Sequence, residues 1–203
     1  MKTVQFNDKS VTPSKIICIG RNYVDHIAEL GNEVPDEMVV FIKPNSAISD
    51  ELMSYHQEPL HYEAEICFMV ENGQFAAVAV GLDLTKRALQ TQLKTKGLPW
   101  ERAKAFDGAA VFSDFVAIDN IENSLTVALR INEQLMQVGS VELMIYSPSA
   151  ILNELKSFIT LQDGDIVMTG TPKGVGVVNA GDTFTGSIYD NKQNLVAKEW
   201  QAK

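Results

Sequence analysis

A series of short strand-like runs in the second half most constrains what this chain can fold into. Apolar or alternating runs lie at 109–118, 125–131, 134–140, 165–170, 182–189 and 195–200, and turn-forming residues separate them. Runs of this length and spacing predict short β-strands. Asn132-Glu133, between two alternating runs, indicates a hairpin tip. One helix is expected within the series, at 147–158, with Ser147 as its cap and Pro148 in its first position.

The first half mixes strands and helices. We expect a short lead at 1–14, strands at 15–20, 38–44, 61–70 and 75–84, and a helix from Thr85 to Gly97. A further helix is expected at about 22–31, with Asn22 as cap and Gly31 as terminator. Because strands outnumber helices and do not alternate with them, the pattern favours a strand-rich α+β fold. A single domain over 1–203 accounts for the length.

Composition and charge exclude several kinds of partner. The 203 residues carry a formal net charge of −9 and no stretch rich in Lys and Arg, which argues against nucleic-acid binding. No apolar run approaches the roughly 20 residues of a membrane span, and the first residues lack the apolar core of a signal peptide. We therefore expect a cytoplasmic protein without a membrane partner.

Cys18 and Cys67 lie in apolar runs and are expected to be reduced core thiols.

Two carboxylates interrupt the otherwise apolar run HYEAEICFMV at 61–70. Because a strand has period two, Glu63 and Glu65 project to the same face as Cys67. Two ionised carboxylates in a partly enclosed region repel each other, so one must bind a proton or a cation must lie between them. Asp83, which closes the next apolar run, is the leading candidate for a third ligand.

Three carboxylates without clustered His or Cys favour Mg²⁺, Mn²⁺ or Ca²⁺ over zinc. On an octahedral ion, three protein ligands leave positions open for substrate. His61, two residues before Glu63, could orient a ligand carboxylate. The alternative is that Glu63 and Glu65 line a solvated face and Asp83 is a helix N-terminal residue. The spacing alone leaves both interpretations open.

Several segments, in order, resemble those of the fumarylacetoacetate hydrolase family. They are CIGRNYVDHIAELGNEVP, FIKP, HYEAEICFMV, GLDLTKR, KGLPWERAKAFD and GDIVMTGTPKGVG, and together they extend from about residue 15 to 183. The resemblance implies the mixed β-sandwich roll of that family's C-terminal domain. It is greatest to short single-domain members, namely acylpyruvate hydrolases, fumarylpyruvate hydrolases and oxaloacetate decarboxylases or tautomerases.

The resemblance also implies roles for individual residues. Glu63, Glu65 and Asp83 correspond to the family's Mg²⁺ or Mn²⁺ ligands. The resemblance assigns catalytic roles to His26 and Glu29, which stand at i, i+3 on a lid helix and share one of its faces, and to Lys104.

The substrate contacts implied by the resemblance are Arg21, Tyr23, Lys43, Gln90, Gly170 and Thr171. One departure is that Ala88 follows Arg87 where family members often carry an acidic residue.

The implied reaction is hydrolysis of the C–C bond of an acylpyruvate, such as acetylpyruvate or fumarylpyruvate, through a metal-stabilised enolate. The same chemistry would serve an oxaloacetate keto–enol tautomerase or decarboxylase, or an isomerase of a hydroxydienoate from aromatic catabolism. The expected substrate is a small 2-oxo or 2,4-dioxo carboxylate. A protein of a different class, a metal-stabilised binding protein without turnover, is the remaining alternative. The family resemblance implies a homodimer.

Overall fold

The computed structural model describes residues 1–29, 37–119 and 125–203, and only the backbone of residues 26–28. The strands are β1 (Val4–Phe6), β2 (Lys9–Val11), β3 (Lys15–Gly20), β4 (Val39–Pro44), β5 (Leu60–Tyr62), β6 (Ala64–Glu71), β7 (Gln74–Asp83), β8 (Thr85–Lys86), β9 (Ala110–Phe112), β10 (Val116–Ala117), β11 (Leu125–Ile131), β12 (Gln134–Ser140), β13 (Ile166–Met168), β14 (Gly176–Val177), β15 (Thr183–Asp190) and β16 (Gln193–Gln201). The α-helices are α1 (Val24–Glu29), α2 (Arg87–Thr95), α3 (Glu101–Lys104) and α4 (Pro148–Phe158).

The largest sheet has the strand order β10-β7-β6-β13-β3-β4, and β9 also pairs with β7. Its pairs are antiparallel except for β13 and β3, which run parallel. Its central strands are buried on both faces, which explains why they consist of nearly continuous apolar residues. A second, antiparallel sheet has the order β12-β11-β15-β16. Together with the few helices, these sheets confirm the predicted strand-rich α+β fold.

Apolar side chains cover both faces of the large sheet. One cluster, which includes Phe68, Val80 and Ile188, joins residues of the large sheet to residues of the second sheet. On the opposite face, Cys18 and Cys67 pack in another cluster with residues from the N-terminal hairpin. Both cysteines are buried and free, as the sequence predicted.

Two local predictions are confirmed by backbone geometry. Asn132 and Glu133 both have positive φ, 48° and 68°, which is the conformation of a tight hairpin turn between β11 and β12. Helix α4 begins at Pro148, and the Ser147 hydroxyl accepts a hydrogen bond from the Ala150 N–H at 3.3 Å.

Other element boundaries differ from the prediction. The helix expected from Thr85 begins at Arg87, because Thr85 and Lys86 pair as a strand with β5. A remote side chain caps this helix, since the Glu58 carboxylate accepts from the Ala88 and Leu89 N–H groups. The expected strand at 109–118 is divided into β9 and β10, and the lead at 1–14 contains the β1–β2 hairpin. Helix α3 was not predicted.

The helix expected at about 22–31 also differs in how it starts. Asn22 is not its cap, because the buried Asn22 amide instead donates to the carbonyl oxygens of Tyr146 and Thr169. Helix α1 starts at Val24 and runs to Glu29, and Gly31 lies outside the described residues. Among the described helices, none is long and apolar enough to cross a membrane.

A buried ion pair links the start of β3 to the loop before β13. Asp165, whose side chain is fully buried, accepts from Lys15 Nζ at 2.5 Å and from the Ser14 hydroxyl at 2.6 Å. Burial alone would raise the pKa of Asp165, but the hydrogen bonds from Lys15 and Ser14 outweigh it and lower that pKa. A carboxyl whose pKa is lower in the folded state stabilises the fold above its unfolded pKa. This contribution is lost as the pH falls through the folded pKa.

We expect Asp165→Asn to lower the free energy of unfolding by about 3 kcal/mol at pH 7, because it leaves a partly buried ammonium unpaired. The difference from wild type is expected to shrink as the pH falls below about 4, the range of an ordinary Asp pKa. Urea unfolding at pH 7 and pH 3.5 measures both values, with the exposed Asp119→Asn as control. A difference that does not depend on pH would contradict the role given to the ionised carboxylate.

Candidate metal centre and cavity

The register of β6 and β7 brings three carboxylates to one place. Ala64 pairs with Leu82 and Glu65 with Gly81, and the ladder continues beyond the strand where the Asp83 N–H donates to the Glu63 carbonyl at 2.8 Å. Asp83 therefore lies opposite Glu63. Glu65 shares the face of Glu63 because two residues separate them in an extended chain.

The three carboxylates form a buried cluster. One oxygen from each of Glu63, Glu65 and Asp83 lies within 4.8 Å of the others, and the residues are 6%, 2% and 1% exposed. Burial, followed by the charges of Asp83 and Glu63, raises the pKa of Glu65 well above its usual range. The Gly170 N–H donates to Glu65 Oε2 at 2.6 Å, and this hydrogen bond by itself lowers the pKa of Glu65. The solvated face considered as an alternative is therefore wrong.

Two buried lysines lie against Asp83. Lys104 Nζ donates to Glu63 Oε2 at 2.7 Å, to Asp83 Oδ2 at 2.8 Å and to the Thr85 hydroxyl at 2.6 Å. Burial lowers the pKa of Lys104, but the carboxylates of Asp83 and Glu63 outweigh it and the net shift is upward. Lys43 is fully buried and forms an ion pair with Asp83 Oδ1 at 2.7 Å. Lys43 thus supports Asp83 from within the protein and is not among the residues that line the cavity.

Arg87 completes the charge pairing of Glu63. Its Nη2 atom is paired with Glu63 Oε1, and its Nη1 atom donates to Gln90 Oε1 at 2.7 Å. The sequence did not identify Arg87 as a site residue, although it follows Asp83 closely along the chain. That short spacing between a basic residue and a candidate ligand was the signal that could have found it.

A cavity opens over the carboxylates. Arg21 lies at its wall in a left-handed backbone conformation, with φ of 57°, and its buried Nε atom has no hydrogen-bond partner among the described residues. Lys94 lies at the same wall, and burial followed by the charges of Arg21 and Arg87 lowers its pKa. The remaining lining residues are Ile19, Gly20, Phe41, Glu63, Glu65, Asp83, Arg87, Gln90, Trp100, Lys104, Gly170 and Thr171.

Tyr23 lies apart from the other predicted substrate contacts. It is 2% exposed, pairs with Met144 and does not line the cavity. Burial, together with the charge of Glu65, raises the pKa of Tyr23. Of the predicted contacts, the structure therefore brings Arg21, Gln90, Gly170 and Thr171 to the cavity, whereas Tyr23 and Lys43 do not line it.

Helix α1 is attached to the loop that follows β13. The Glu29 carboxylate accepts from the Gly174 N–H, at 3.0 Å to Oε1 and 3.1 Å to Oε2, and Lys173 Nζ lies 3.0 Å from Asp25 Oδ2. Gly174 has φ of 100°, and a Cβ there would clash with the Met136 carbonyl oxygen. Only glycine therefore fits at this anchor point. The side chain of His26, the other member of the predicted pair, lies outside the described part of the structure.

His61 lies on β5, where it pairs with Val177 and Thr85. Burial, followed by the charge of Arg87, lowers its pKa, so the neutral imidazole is favoured at neutral pH. A hydrogen bond from His61 to Glu63, which would support the orienting role considered for it, stays a prediction.

The donor set is suited to a hard divalent cation. Three buried carboxylates supply the oxygen ligands that Mg²⁺, Mn²⁺ and Ca²⁺ prefer, with no soft ligand in the cluster. Among the residues that the structure describes, this is the one group of three or more His, Cys, Asp or Glu side chains close enough to share an ion. Fold and site together thus define a strand-rich protein with a buried cluster of three carboxylates beneath a cation-lined cavity.

Comparison with known proteins gives the family. Residues 15–197 match the family described as "Fumarylacetoacetate (FAA) hydrolase C-terminal". The match covers most of the chain, and the protein therefore belongs to the fumarylacetoacetate hydrolase family of enzymes.

Individual relatives are similar along most of their length. The chain is 37% identical over 191 residues to the mitochondrial oxaloacetate tautomerase FAHD1 of Bos taurus, with 86% of each chain covered. It is 35% identical over 195 residues to oxaloacetate tautomerase YcgM of Escherichia coli K12, with 85% of this chain and 87% of the relative covered. The crystal structure of fumarylpyruvate hydrolase from Pseudomonas aeruginosa in complex with Mn²⁺ and pyruvate superposes with a TM-score of 0.88 at 27% identity, over 99% of this chain and 95% of that one.

Proposed function

We propose that this protein is an oxaloacetate keto–enol tautomerase that uses Mg²⁺ or Mn²⁺ bound by Glu63, Glu65 and Asp83. The observation that carries the proposal is similarity, over most of both chains, to relatives named oxaloacetate tautomerases. The tautomerase was one of the alternatives to hydrolysis in the sequence analysis, and these relatives favour it. The Mn²⁺ complex of the fumarylpyruvate hydrolase supports a divalent ion at the corresponding centre.

Interconversion of the keto and enol forms moves one proton from C3 to the C2 oxygen and back. A divalent ion on the three carboxylates would act as a Lewis acid and stabilise the enolate charge. Lys104 donates to Glu63, Asp83 and Thr85, and in this proposal it supplies a fixed positive charge beside the ion rather than a base. We assign the proton transfer at C3 to His26, with Glu29 as its orienting partner.

Charge in the cavity favours a dicarboxylate substrate. Lys43, Lys104 and Arg87 already pair with Asp83 and Glu63. Arg21 and Lys94 add two positive charges at the wall, and a bound divalent ion would add two more. Oxaloacetate carries two carboxylates, so one can reach the metal centre while the other lies near Arg21 and Lys94. A monocarboxylate such as acetylpyruvate has no second carboxylate to place near these two residues.

Lys94→Met is expected to raise the KM for oxaloacetate about tenfold, because a charge-assisted hydrogen bond contributes about 1.5–3 kcal/mol. We expect the KM for acetylpyruvate, if it is turned over, to change less than threefold. Steady-state kinetics with both substrates measures this. Lys96→Met, an exposed lysine just after the same helix, is the matched control. Equal effects of Lys94→Met on both substrates would contradict a subsite for the second carboxylate.

Acylpyruvate hydrolysis is a second candidate, favoured by the similarity to the fumarylpyruvate hydrolase. Hydrolysis needs a base that activates water, a role for which His26 and Glu29 would again be used. Tautomerisation needs no water. The two reactions therefore differ in product rather than in the residues that carry them.

The deciding experiment follows three reactions of the Mg²⁺- or Mn²⁺-loaded protein in parallel. Enol absorbance of oxaloacetate measures tautomerisation, CO₂ release measures decarboxylation, and loss of dione absorbance from acetylpyruvate or fumarylpyruvate measures hydrolysis. We expect the enol–keto exchange of oxaloacetate to be accelerated most. Faster cleavage of an acylpyruvate would favour the hydrolase, and no turnover in any assay would favour the binding-protein alternative. The single domain, the homodimer and the cytoplasmic location remain predictions from the sequence.

A further inference from the structure

Gln137 reaches from the second sheet to the wall of the metal centre. It lies on β12 and is 1% exposed, although glutamine is a polar residue that is rarely buried. Its Oε1 atom accepts from the Ala64 N–H at 2.9 Å. Its Nε2 atom donates to the Thr171 hydroxyl at 2.8 Å and to the Pro172 carbonyl at 2.7 Å. The buried amide thus joins β6 to a loop that is distant in sequence.

These partners fix which way the amide points. A backbone N–H can only donate, so the Gln137 atom facing Ala64 must be the oxygen. A backbone carbonyl can only accept, so the atom facing Pro172 must be the nitrogen. The nitrogen therefore also faces the Thr171 hydroxyl, which has to accept from it.

This orientation determines the direction of the Thr171 hydroxyl. The hydroxyl has one proton, and its oxygen lies 2.9 Å from the Ala64 carbonyl oxygen, to which it donates. One of its two lone pairs already accepts from Gln137. The one remaining hydrogen-bonding position of Thr171 is an acceptor. A ligand group that meets this hydroxyl in the cavity must therefore be a donor.

Gln137 also holds the chain segment that carries two of the metal ligands. Ala64 stands between Glu63 and Glu65, and both its N–H and its carbonyl are engaged by the Gln137–Thr171 pair. Thr171 follows Gly170, whose N–H binds Glu65. The amide thereby joins the ligand-bearing segment to the loop that supplies Gly170 and Thr171 to the cavity.

We propose that Gln137 is a positioning residue that holds Glu63 and Glu65 in place through Ala64 and sets the Thr171 hydroxyl as a hydrogen-bond acceptor for the enol O–H of the substrate. The enol part of this inference rests on the proposed tautomerase function. The keto form has no O–H group at C2, so an acceptor at this position discriminates between the two tautomers. The positioning of the carboxylates does not depend on which reaction is catalysed.

The test uses full-length protein and a double-mutant cycle of Gln137→Met and Thr171→Val. Methionine keeps the volume of Gln137 and removes its hydrogen bonds. Gln134→Met, an exposed position on the same strand, is the control. Mn²⁺ affinity by electron paramagnetic resonance, thermal unfolding, and KM and kcat for enol and keto oxaloacetate are measured for each variant.

We expect Gln137→Met to weaken Mn²⁺ binding about tenfold, as the loss of an outer hydrogen-bond partner of metal ligands does. This loss is expected in both the wild-type and the Thr171→Val backgrounds, because it acts through Ala64. The KM for the enol is expected to rise about tenfold in the wild-type background and less than about twofold in the Thr171→Val background, where the acceptor is already lost. Unchanged Mn²⁺ affinity in a folded variant, or the same kinetic loss in both backgrounds, would overturn the proposal.

Gln137→Glu keeps the test decisive if the methionine variant does not fold. When its new carboxyl group is protonated, this variant can accept from Ala64 and donate one hydrogen bond, whereas the ionised carboxylate can only accept. We therefore expect Mn²⁺ affinity and enol turnover to recover in part as the pH is lowered, relative to wild type at the same pH. Absence of any such recovery counts against the positioning role. If wild type turns over neither tautomer, the proposed function fails, and the Mn²⁺ measurements still decide for or against Gln137.

Discussion

Glu65→Gln is expected to abolish Mn²⁺ binding in the micromolar range and to reduce oxaloacetate turnover at least about 10³-fold, which corresponds to about 4 kcal/mol of transition-state stabilisation. Glu65 is the more enclosed of the two strand glutamates, and among the described residues no lysine or arginine forms an ion pair with its carboxylate. Its charge is therefore the one in the cluster that a divalent ion most needs to neutralise. Replacing it by an amide removes a negative charge from the ligand set.

The same substitution should not damage the metal-free fold. Because the pKa of Glu65 is raised, its ionised form opposes folding as the pH rises above its unfolded value, and this penalty disappears in the amide. We expect metal-free Glu65→Gln to unfold at the same or a higher urea concentration than wild type at pH 8. Calorimetric titration with Mn²⁺ measures the metal affinity, and urea unfolding measures the stability of the metal-free protein. Glu71→Gln, at the exposed end of β6, is the control. Retained Mn²⁺ binding in the variant would remove the basis for the metal centre.

Lys104→Met is expected to lower kcat about 10²–10³-fold, because it removes a positive charge that stabilises the developing enolate, and loss of one such stabilising group has an effect of this size. Unlike Glu65→Gln, it should leave Mn²⁺ binding intact or make it tighter, because a positive charge is removed from Glu63 and Asp83. Metal-free Lys104→Met should be less stable than wild type, since two buried carboxylates lose their shared donor. Bound Mn²⁺ stabilises the folded state to a degree that grows with its affinity, so the metal should raise Tm more in the variant than in wild type.

Arg102→Gln, at an exposed position of the same short helix, is the matched control for Lys104→Met. Thermal unfolding with and without Mn²⁺ measures the effect on metal binding, and kcat at saturating oxaloacetate measures the effect on turnover. If Lys104→Met lost both Mn²⁺ binding and turnover, the lysine would be required to assemble the centre. If turnover were unchanged, its place in the proposed mechanism would be wrong.

The members of the carboxylate cluster could be predicted from sequence because local patterns identify them. Period-two alternation places Glu63 and Glu65 on one face. The short connection between the two apolar runs makes the two strands antiparallel neighbours. Asp83 was a candidate because it closes the next apolar run. The register that puts it opposite Glu63 includes a β-bulge between Met69 and Val70, which no pattern in the sequence indicated.

Residues that depend on long-range packing could not be placed in this way. Lys43 has the same local pattern whether it faces the cavity or the interior, and only the packing of β4 puts it behind Asp83. Gln137 is separated from Ala64 by 73 positions in sequence, so no local pattern connects them. The start of α2 was misplaced for a similar reason, because the capping carboxylate of Glu58 comes from a distant segment.

The attachment of α1 to the loop after β13 has a consequence for the wall of the cavity. Helix α1 contacts the loop after β13 through two side chains, since Asp25 pairs with Lys173 and Glu29 accepts from the Gly174 N–H. The same loop supplies Gly170 and Thr171 to the wall of the cavity. A change that loosens this loop should therefore displace α1 and the Gly170–Thr171 part of the cavity wall together.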